Sequence, residues 1–148
     1  MITIETDDDM KVLGRRLGEQ FHGGEVIELI GDVGAGKTTL AKGIAAGLLV
    51  DEDVQSPSFT ISRTYEARDD LTLQHYDFYR LQQPGVMTYE LSESVADPRA
   101  VVLVEWAETV ASVLPDERIV VRIDYRPEDD GRNVAIDIPP KFNYVEVN

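Results

Sequence analysis

The stretch "GDVGAGKTT" at residues 31–39 places glycines beside a lysine and two hydroxyl groups. Its spacing of Gly31, Gly36, Lys37 and Thr38 matches the pattern G-x-x-x-x-G-K-[ST]. Successive backbone N–H groups of a glycine-rich turn converge on an anion, and a following helix adds the positive end of its dipole. In this pattern the lysine reaches the β- and γ-phosphates and the hydroxyl binds Mg²⁺. The stretch therefore predicts a nucleotide-phosphate site.

A phosphate site of this kind also needs an acidic group, usually at the end of an apolar strand, to complete the magnesium shell. Glu105 directly follows "VVLV" and is the better match, the alternative being a carboxylate turned to solvent. Asp77 follows "LQHY", and we expect it to orient or deprotonate a water or to bind Mg²⁺ through a water. A turn or helix-cap role for Asp77 stays open. His75, on the same strand face, is expected to be a packed or hydrogen-bonded strand histidine rather than a base. Trp106 is expected to be a core residue or an aromatic wall near the nucleotide.

The elements that must position these residues can be predicted from periodicity. "EVIELI" predicts a strand that leads into the loop, and Leu40, Ile44 and Leu48 share one face of a helix after it. Strand, glycine loop and helix form the context that the motif requires. A preceding helix is predicted from Asp7 to His22, with the Thr6 side chain as its cap.

The rest of the chain predicts further strands. "ITIE" suits an edge strand, "FTISRTY" and "LTLQHYDF" suit a hairpin, and "RIVVRIDY" and "NVAIDI" suit a second hairpin. "AVVLVEW" has the continuous apolar run of a strand buried on both faces. Short helices are predicted in "PGVMTYELSESVAD" and at 107–114. We therefore predict a single α/β domain over 1–148 with a mixed parallel and antiparallel central sheet and an unassigned tail at 139–148.

Composition narrows the function. The 148 residues carry a formal net charge of -14, which repels phosphate backbones, so direct autonomous binding of tRNA or other nucleic acid is not expected. The chain has no cysteine, which excludes disulfides and thiolate metal sites. No apolar run is long enough for a membrane span, and the N-terminus lacks the pattern of a secretory signal. These features predict a cytoplasmic protein without membrane partners.

The stretches "GDVGAGKTT", "SPSFT", "HYDFYRL" and "VEWAE", in this order, resemble the TsaE (YjeE) family. These are small bacterial ATPases required for the threonylcarbamoyl modification of adenosine 37 in tRNAs that read ANN codons, acting on a TsaD–TsaB heterodimer. The resemblance runs from about residue 6 to residue 138. Ser58 and Ala107 depart from the family's usual threonine and proline, which leaves the switch details open.

The resemblance implies a P-loop NTPase domain that uses ATP and Mg²⁺. By this resemblance Thr38 and Glu105 hold the metal, Asp77 and Lys37 take part in hydrolysis, and "SPSFT" and "HYDFYRL" are switch segments. Gly131 and Arg132 would approach the base. The nucleotide-binding residues that it implies are Asp7, Gly34, Ala35, Gly36, Lys37, Thr38 and Thr39.

Two other functions remain open at this point. Asp77 could serve a small-molecule kinase as the base for a substrate hydroxyl, although no arginine-rich lid segment is present. Alternatively, the chain could be a nucleotide-gated adaptor in which turnover is incidental. No N-K-x-D segment occurs, which argues against guanine recognition and leaves ATP as the expected nucleotide.

Overall fold

The architecture is seen in a computed structural model that describes residues 1–32, 34–55, 62–79 and 85–147, the side chains of 85 and 86 excepted. Within these ranges the chain forms three α-helices, α1 (Asp7–Gln20), α2 (Lys37–Gly47) and α3 (Gly85–Ala96). The strands of the same ranges are β1 (Ile2–Ile4), β2 (Val26–Ile30), β3 (Ser62–Glu66), β4 (Thr72–Asp77), β5 (Ala100–Glu105), β6 (Ile119–Arg126) and β7 (Gly131–Asp137). None of the helices described is long and apolar enough to cross a membrane.

The described strands form one seven-stranded sheet in the order β1-β7-β6-β2-β5-β4-β3. Its central strands are parallel, because β2 pairs in parallel with β5 and β6, and β4 with β5. The pairs β3–β4, β6–β7 and β1–β7 are antiparallel. The predicted mixed sheet, both hairpins and the edge position of β1 are therefore confirmed.

The central strand β5 shows why the sheet is covered on both faces. Val101 and Leu103 belong to the apolar cluster beneath α1 and α2, whereas Val102 and Val104 belong to a second cluster beneath α3. Since successive side chains of a strand point to opposite faces, a continuous apolar run fits a strand with helices on both sides. The expectation drawn from "AVVLVEW" is confirmed.

Helices α1 and α2 pack closely because glycines line their contact. A Cβ atom on Gly18 would lie 2.2 Å from the carbonyl oxygen of Ile44, and one on Gly43 would lie 2.4 Å from that of Lys11. Gly14 and Gly47 meet opposing backbone equally closely. Since α2 begins at Lys37, this packing fixes where the helix presents its N-terminus.

The structure refines several of the predicted elements. Helix α1 ends at Gln20 rather than His22, and the helix predicted at 107–114 is present over 107–113 with 3₁₀ geometry. Of the aromatic residues in "HYDFYRL", Tyr76 and Phe78 are buried, whereas Tyr79 is 52% exposed. The unassigned tail forms a 3₁₀ helix at Pro140–Phe142 and returns to the core, where Phe142 and Val145 are buried. As predicted, the Thr6 hydroxyl caps α1 by accepting from Asp9 N at 3.1 Å.

Candidate nucleotide-binding site

The glycine loop links the end of β2 to the start of α2. Gly34 and Gly36 have φ angles of 82° and 113°, in the left-handed region that favours glycine. Gly36 is the N-cap of α2 and has no side chain with which to bond the first N–H groups of the helix. These N–H groups are therefore available to an anion at the positive end of the helix dipole.

Lys37 is folded into this loop rather than extended into solvent. Its side chain is 7% exposed, and Nζ donates to the carbonyl oxygen of Gly31 at 2.5 Å. The same nitrogen lies 3.9 Å from Glu105 Oε1 and 4.1 Å from the ring centroid of Trp106. Burial lowers the pKa of Lys37, while the negative charges of Glu105 and Asp77 act in the opposite direction. The ammonium group is thus partly desolvated and ringed by acceptors.

Asp77 and Glu105 are brought together by the parallel pairing of β4 and β5. They are register partners at the carboxyl ends of the two strands, and Leu29 of β2 pairs with Glu105 from the other side. Glu105 is 3% exposed, so the solvent-facing alternative is wrong. Both carboxylates therefore stand at the edge of the sheet where the glycine loop leaves β2.

Asp77 makes the turn-forming contact that its position in the sequence left open, and its role in hydrolysis stays a prediction. Its Oδ1 accepts from the N–H of Tyr79 at 3.0 Å, which is the turn-forming contact. Burial raises the pKa of Asp77, and this N–H and the charges of His75 and Lys37 oppose the rise, whereas Glu105 adds to it. A carboxylate held between a like charge and a lysine at a strand end has the character of functional-site acids.

Two ring side chains lie beside these carboxylates. His75 is packed and hydrogen-bonded as expected, and the structure identifies its partner, because Nε2 lies 2.6 Å from Glu105 Oε2. Trp106 is half-buried, with a positive φ of 55°, and packs against the apolar cluster beneath α3. Its ring centroid lies 4.1 Å from Lys37 Nζ and 4.7 Å from that of Tyr79. The core contact is therefore confirmed, and the role of an aromatic wall near a nucleotide stays a prediction. The signal for His75 was its place two residues before Asp77, on the strand next to Glu105.

Arg132 of β7 braces the loop from outside. Its Nε donates to the carbonyl oxygen of Ala35 at 2.8 Å and its Nη2 to that of Gly34 at 3.1 Å, and the guanidinium lies 4.6 Å from the ring of Tyr125. No pattern in the sequence predicted this contact with the loop backbone. A cavity of about 530 Å³ lies beside the loop, bordered by these residues. Asp7 borders an adjoining crevice with Arg132 and Gly36.

The oxygen groups available fit magnesium better than a softer metal. Thr38 lies half-buried in the first turn of α2, and Glu105 presents Oε1 toward the loop. Across the described ranges no group of three or more His, Cys, Asp or Glu residues is arranged to hold a metal ion. Mg²⁺ suits such a site, because it binds through one or two protein oxygens and takes its remaining ligands from phosphates and water.

Some predicted positions lie outside the described residues. These are Val33 within the glycine loop, the whole "SPSFT" segment at 56–60, and Arg80 and Leu81 of "HYDFYRL". The predicted roles of these segments as switches therefore stay predictions.

Comparison with known proteins identifies the family. The model of the family described as "Threonylcarbamoyl adenosine biosynthesis protein TsaE" matches residues 4–134. The chain belongs to the TsaE family. Two curated TsaE relatives are those of Mycobacterium tuberculosis, 37% identical over 88% of this chain and 82% of its own length, and Streptomyces coelicolor, 39% identical over 84% and 85%. Both carry the name "tRNA threonylcarbamoyladenosine biosynthesis protein TsaE".

A solved structure agrees with this family membership. The crystal structure of Bacillus subtilis YdiB superposes with a TM-score of 0.76 at 28% sequence identity, covering 97% of this chain and 88% of that one. The mixed sheet, the strand–loop–helix unit and this likeness establish a P-loop NTPase fold for this member of the TsaE family.

Proposed function

We propose that this chain is a Mg²⁺-dependent ATPase that serves the threonylcarbamoyl modification of adenosine 37 in tRNA. The observation that carries the proposal is the position of Lys37, whose Nζ lies in the glycine loop, 3.9 Å from Glu105 at the edge of the sheet where Asp77 also ends its strand. Membership of the TsaE family supports the pathway.

The residues of the loop would bind the nucleotide through its phosphates. Backbone N–H groups between Gly34 and Thr39 would bind the anion, apart from that of Ala35, which donates to the Asp32 carbonyl oxygen at 3.0 Å. Lys37 would exchange its bond to the Gly31 carbonyl for phosphate oxygens. Asp7 borders the crevice next to the loop and would lie near the base. Arg132 holds the carbonyls of Gly34 and Ala35 on the outer side of the loop, which favours N–H groups that face inward.

Hydrolysis would depend on positioning and electrostatics. Thr38 and Glu105 would hold Mg²⁺, which when bound neutralises charge on the β- and γ-phosphates. Lys37 stabilises negative charge that develops on the transferring group. Asp77 orients the attacking water, and its raised pKa makes it a better proton acceptor than an ordinary aspartate.

We further propose that the TsaD–TsaB heterodimer is the partner through which hydrolysis is used in the cytoplasm. A chain of net charge -14 is poorly suited to hold tRNA by itself, so contact with the substrate would come through a complex. Nucleotide-dependent changes beside the loop would alter how the chain holds that complex.

The test is ATP hydrolysis with Mg²⁺, by the chain alone and with purified TsaD–TsaB, for the parent, Lys37→Ala and Asp77→Asn. Lys42→Ala is the matched control, because Lys42 is an exposed lysine of the same helix. We expect stimulation by the partners, a loss of at least about 100-fold in both site variants, and no change in the control.

Nucleotide binding can be followed in the same samples. Trp106 is the chain's one tryptophan and its ring lies 4.1 Å from Lys37 Nζ, so movement of the ammonium toward phosphate should change its fluorescence. Full pathway function in Asp77→Asn without turnover would favour the adaptor instead. ADP release that requires an added metabolite would favour the kinase.

A further inference from the structure

His75 is buried in a way that calls for an explanation. The chain has two histidines; His22 has a side chain that is 66% exposed, whereas the side chain of His75 is 0% exposed. Within the described residues, Nδ1 of His75 is buried and has no hydrogen-bond partner. Burying a polar atom without a partner costs free energy, and an apolar side chain of similar size would avoid that cost. The contact through the other nitrogen, Nε2, must therefore be the reason why a histidine, rather than an apolar residue, occupies this position.

That contact divides the two oxygens of Glu105 between two neighbours. On the paired strands, His75 lies opposite Leu103, two register pairs before the Asp77–Glu105 pair that ends the strands. His75 Nε2 lies 2.6 Å from Glu105 Oε2, whereas Glu105 Oε1 lies 3.9 Å from Lys37 Nζ. The imidazole thus anchors one oxygen and leaves the other directed at the phosphate loop.

The anchor also keeps Glu105 away from a direct bond with Lys37. Their 3.9 Å separation exceeds a hydrogen-bonded ion pair, for which about 2.7–2.9 Å is usual. Glu105 without the imidazole would be free to rotate toward the ammonium, and a close pair would occupy both the oxygen meant for a metal and the lysine meant for phosphate. Groups that orient metal-binding side chains commonly change metal affinity about 10–100-fold when removed.

We propose that His75 is a positioning residue that fixes Glu105 so that Oε1 is presented to the metal of a bound metal–nucleotide complex. The proposal rests on the proposed function, since it needs a nucleotide and a divalent cation at the loop. It assigns His75 a role in metal affinity and not in chemistry with the substrate.

The test measures Mn²⁺ binding by electron paramagnetic resonance in the presence of a non-hydrolysable ATP analogue, with binding of the analogue alone measured separately. His75→Leu removes the ring nitrogen that contacts Glu105 and introduces an apolar side chain that suits the core. His75→Gln keeps an N–H near the position of Nε2. His22→Leu is the matched control, because His22 also lies beside a buried glutamate, with Nδ1 3.8 Å from Glu25 Oε2.

We expect His75→Leu to weaken Mn²⁺ binding about 10–100-fold, with less than about 3-fold loss of affinity for the metal-free analogue. His75→Gln should recover most of the Mn²⁺ affinity, and His22→Leu should match the parent. Equal Mn²⁺ affinity in His75→Leu and the parent would overturn the proposal. An equal loss of affinity for Mn²⁺ and for the analogue in both His75 variants would also overturn it, because it would indicate that His75 acts only through packing. If the parent itself binds no analogue, the proposed function fails, and this inference with it.

Discussion

Two buried glutamates lie at opposite ends of the central parallel strands and have different hydrogen-bond partners. Glu25 directly precedes β2 and is 0% exposed; it accepts from the backbone N–H groups of His22 at 2.9 Å and Gly23 at 2.8 Å, and from the Tyr144 hydroxyl. Glu105 ends β5 and is 3% exposed, and His75 lies 2.6 Å from one of its oxygens. Among the residues that the structure describes, the cation near its other oxygen is Lys37, 3.9 Å away. Burial alone therefore does not distinguish a structural carboxylate from a functional one. What distinguishes these two is the number of donors committed to each carboxylate, which leaves one oxygen of Glu105 for the metal-binding role that we propose.

At the amino ends of the parallel strands, where Glu25 lies, the polar groups of the helix ends are also hydrogen-bonded. Arg68 Nη2 donates to the carbonyl oxygens of Gly18 and Phe21 at 2.8 and 3.0 Å, at the end of α1, and Nε donates to that of Gly47 at the end of α2. Neither helix has a basic residue in its last turn, so a distant arginine supplies the charge that their carbonyls attract. At this end of the sheet, protein side chains bond the carbonyl groups that end α1 and α2. At the opposite end, beside the glycine loop, the N–H groups that begin α2 are available to an anion.

The strongest test of the contrast is Glu105→Gln. We expect ATP turnover to fall at least about 100-fold, because a neutral amide binds Mg²⁺ poorly, while the free energy of unfolding changes by less than about 1 kcal/mol. Steady-state hydrolysis and urea unfolding on the same preparation measure both quantities. A large loss of stability with normal turnover per folded molecule would place Glu105 in the same class as Glu25.

Glu25→Gln should behave in the opposite way. One oxygen of the carboxylate becomes an NH₂ group that faces a donor, so we expect a loss of about 3 kcal/mol in the free energy of unfolding. Nucleotide affinity of the folded fraction should stay within about 2-fold of the parent, because the change lies at the other edge of the sheet. Trp106 fluorescence with added nucleotide reports that affinity. A marked loss of affinity at unchanged stability would contradict the contrast.

Gly18→Ala tests whether the packing of α1 on α2 determines the position of the glycine loop. Its new Cβ would meet the Ile44 carbonyl oxygen at 2.2 Å, so α1 and α2 must separate, at a cost of about 2 kcal/mol. Because α2 begins at Lys37, nucleotide affinity should fall as well. Gly24→Ala is the control, since a Cβ there meets nothing within 4 Å and only its φ of 89° opposes the change. Equal nucleotide affinity in both variants would show that the helix contact does not set the loop.

The smallest effect is expected for Tyr144→Phe, which removes one donor from Glu25 at a cost of about 1 kcal/mol. Burial, followed by the hydrogen bond and charge of Glu25, raises the pKa of Tyr144 above its ordinary 10.0. The folded state therefore favours the protonated phenol, so its contribution is complete below pH 10.0 and is lost as the pH rises through the folded-state pKa. Urea unfolding between neutral and alkaline pH should show a shallower decline in Tyr144→Phe. An identical decline in both proteins would contradict the assignment.

The sequence by itself determined the elements and the order of the site residues along the chain. A continuous apolar run fixed β5 as a central strand, alternation fixed both hairpins, and the spacing of Gly31, Gly36, Lys37 and Thr38 fixed a loop between strand and helix. These are local properties, since periodicity and backbone conformation depend on neighbours in the chain. The helix predicted at 107–114 is present at Ala107–Val113, and its 3₁₀ geometry was not specified because the apolar pattern of so short a piece does not distinguish α from 3₁₀.

Only the tertiary structure decided what each charged side chain faces. Glu25 and Glu105 both adjoin apolar strands, and nothing local shows that the first receives Tyr144 from the tail while the second receives His75 from β4. The bond from Arg132 to Ala35 joins residues far apart in the sequence. Such partners are chosen by strand order and by the return of the chain to the core, which depend on packing across the whole sheet. The strands and the acidic residues near their ends could therefore be predicted to within a few residues, but the hydrogen-bond donors that face those carboxylates could not.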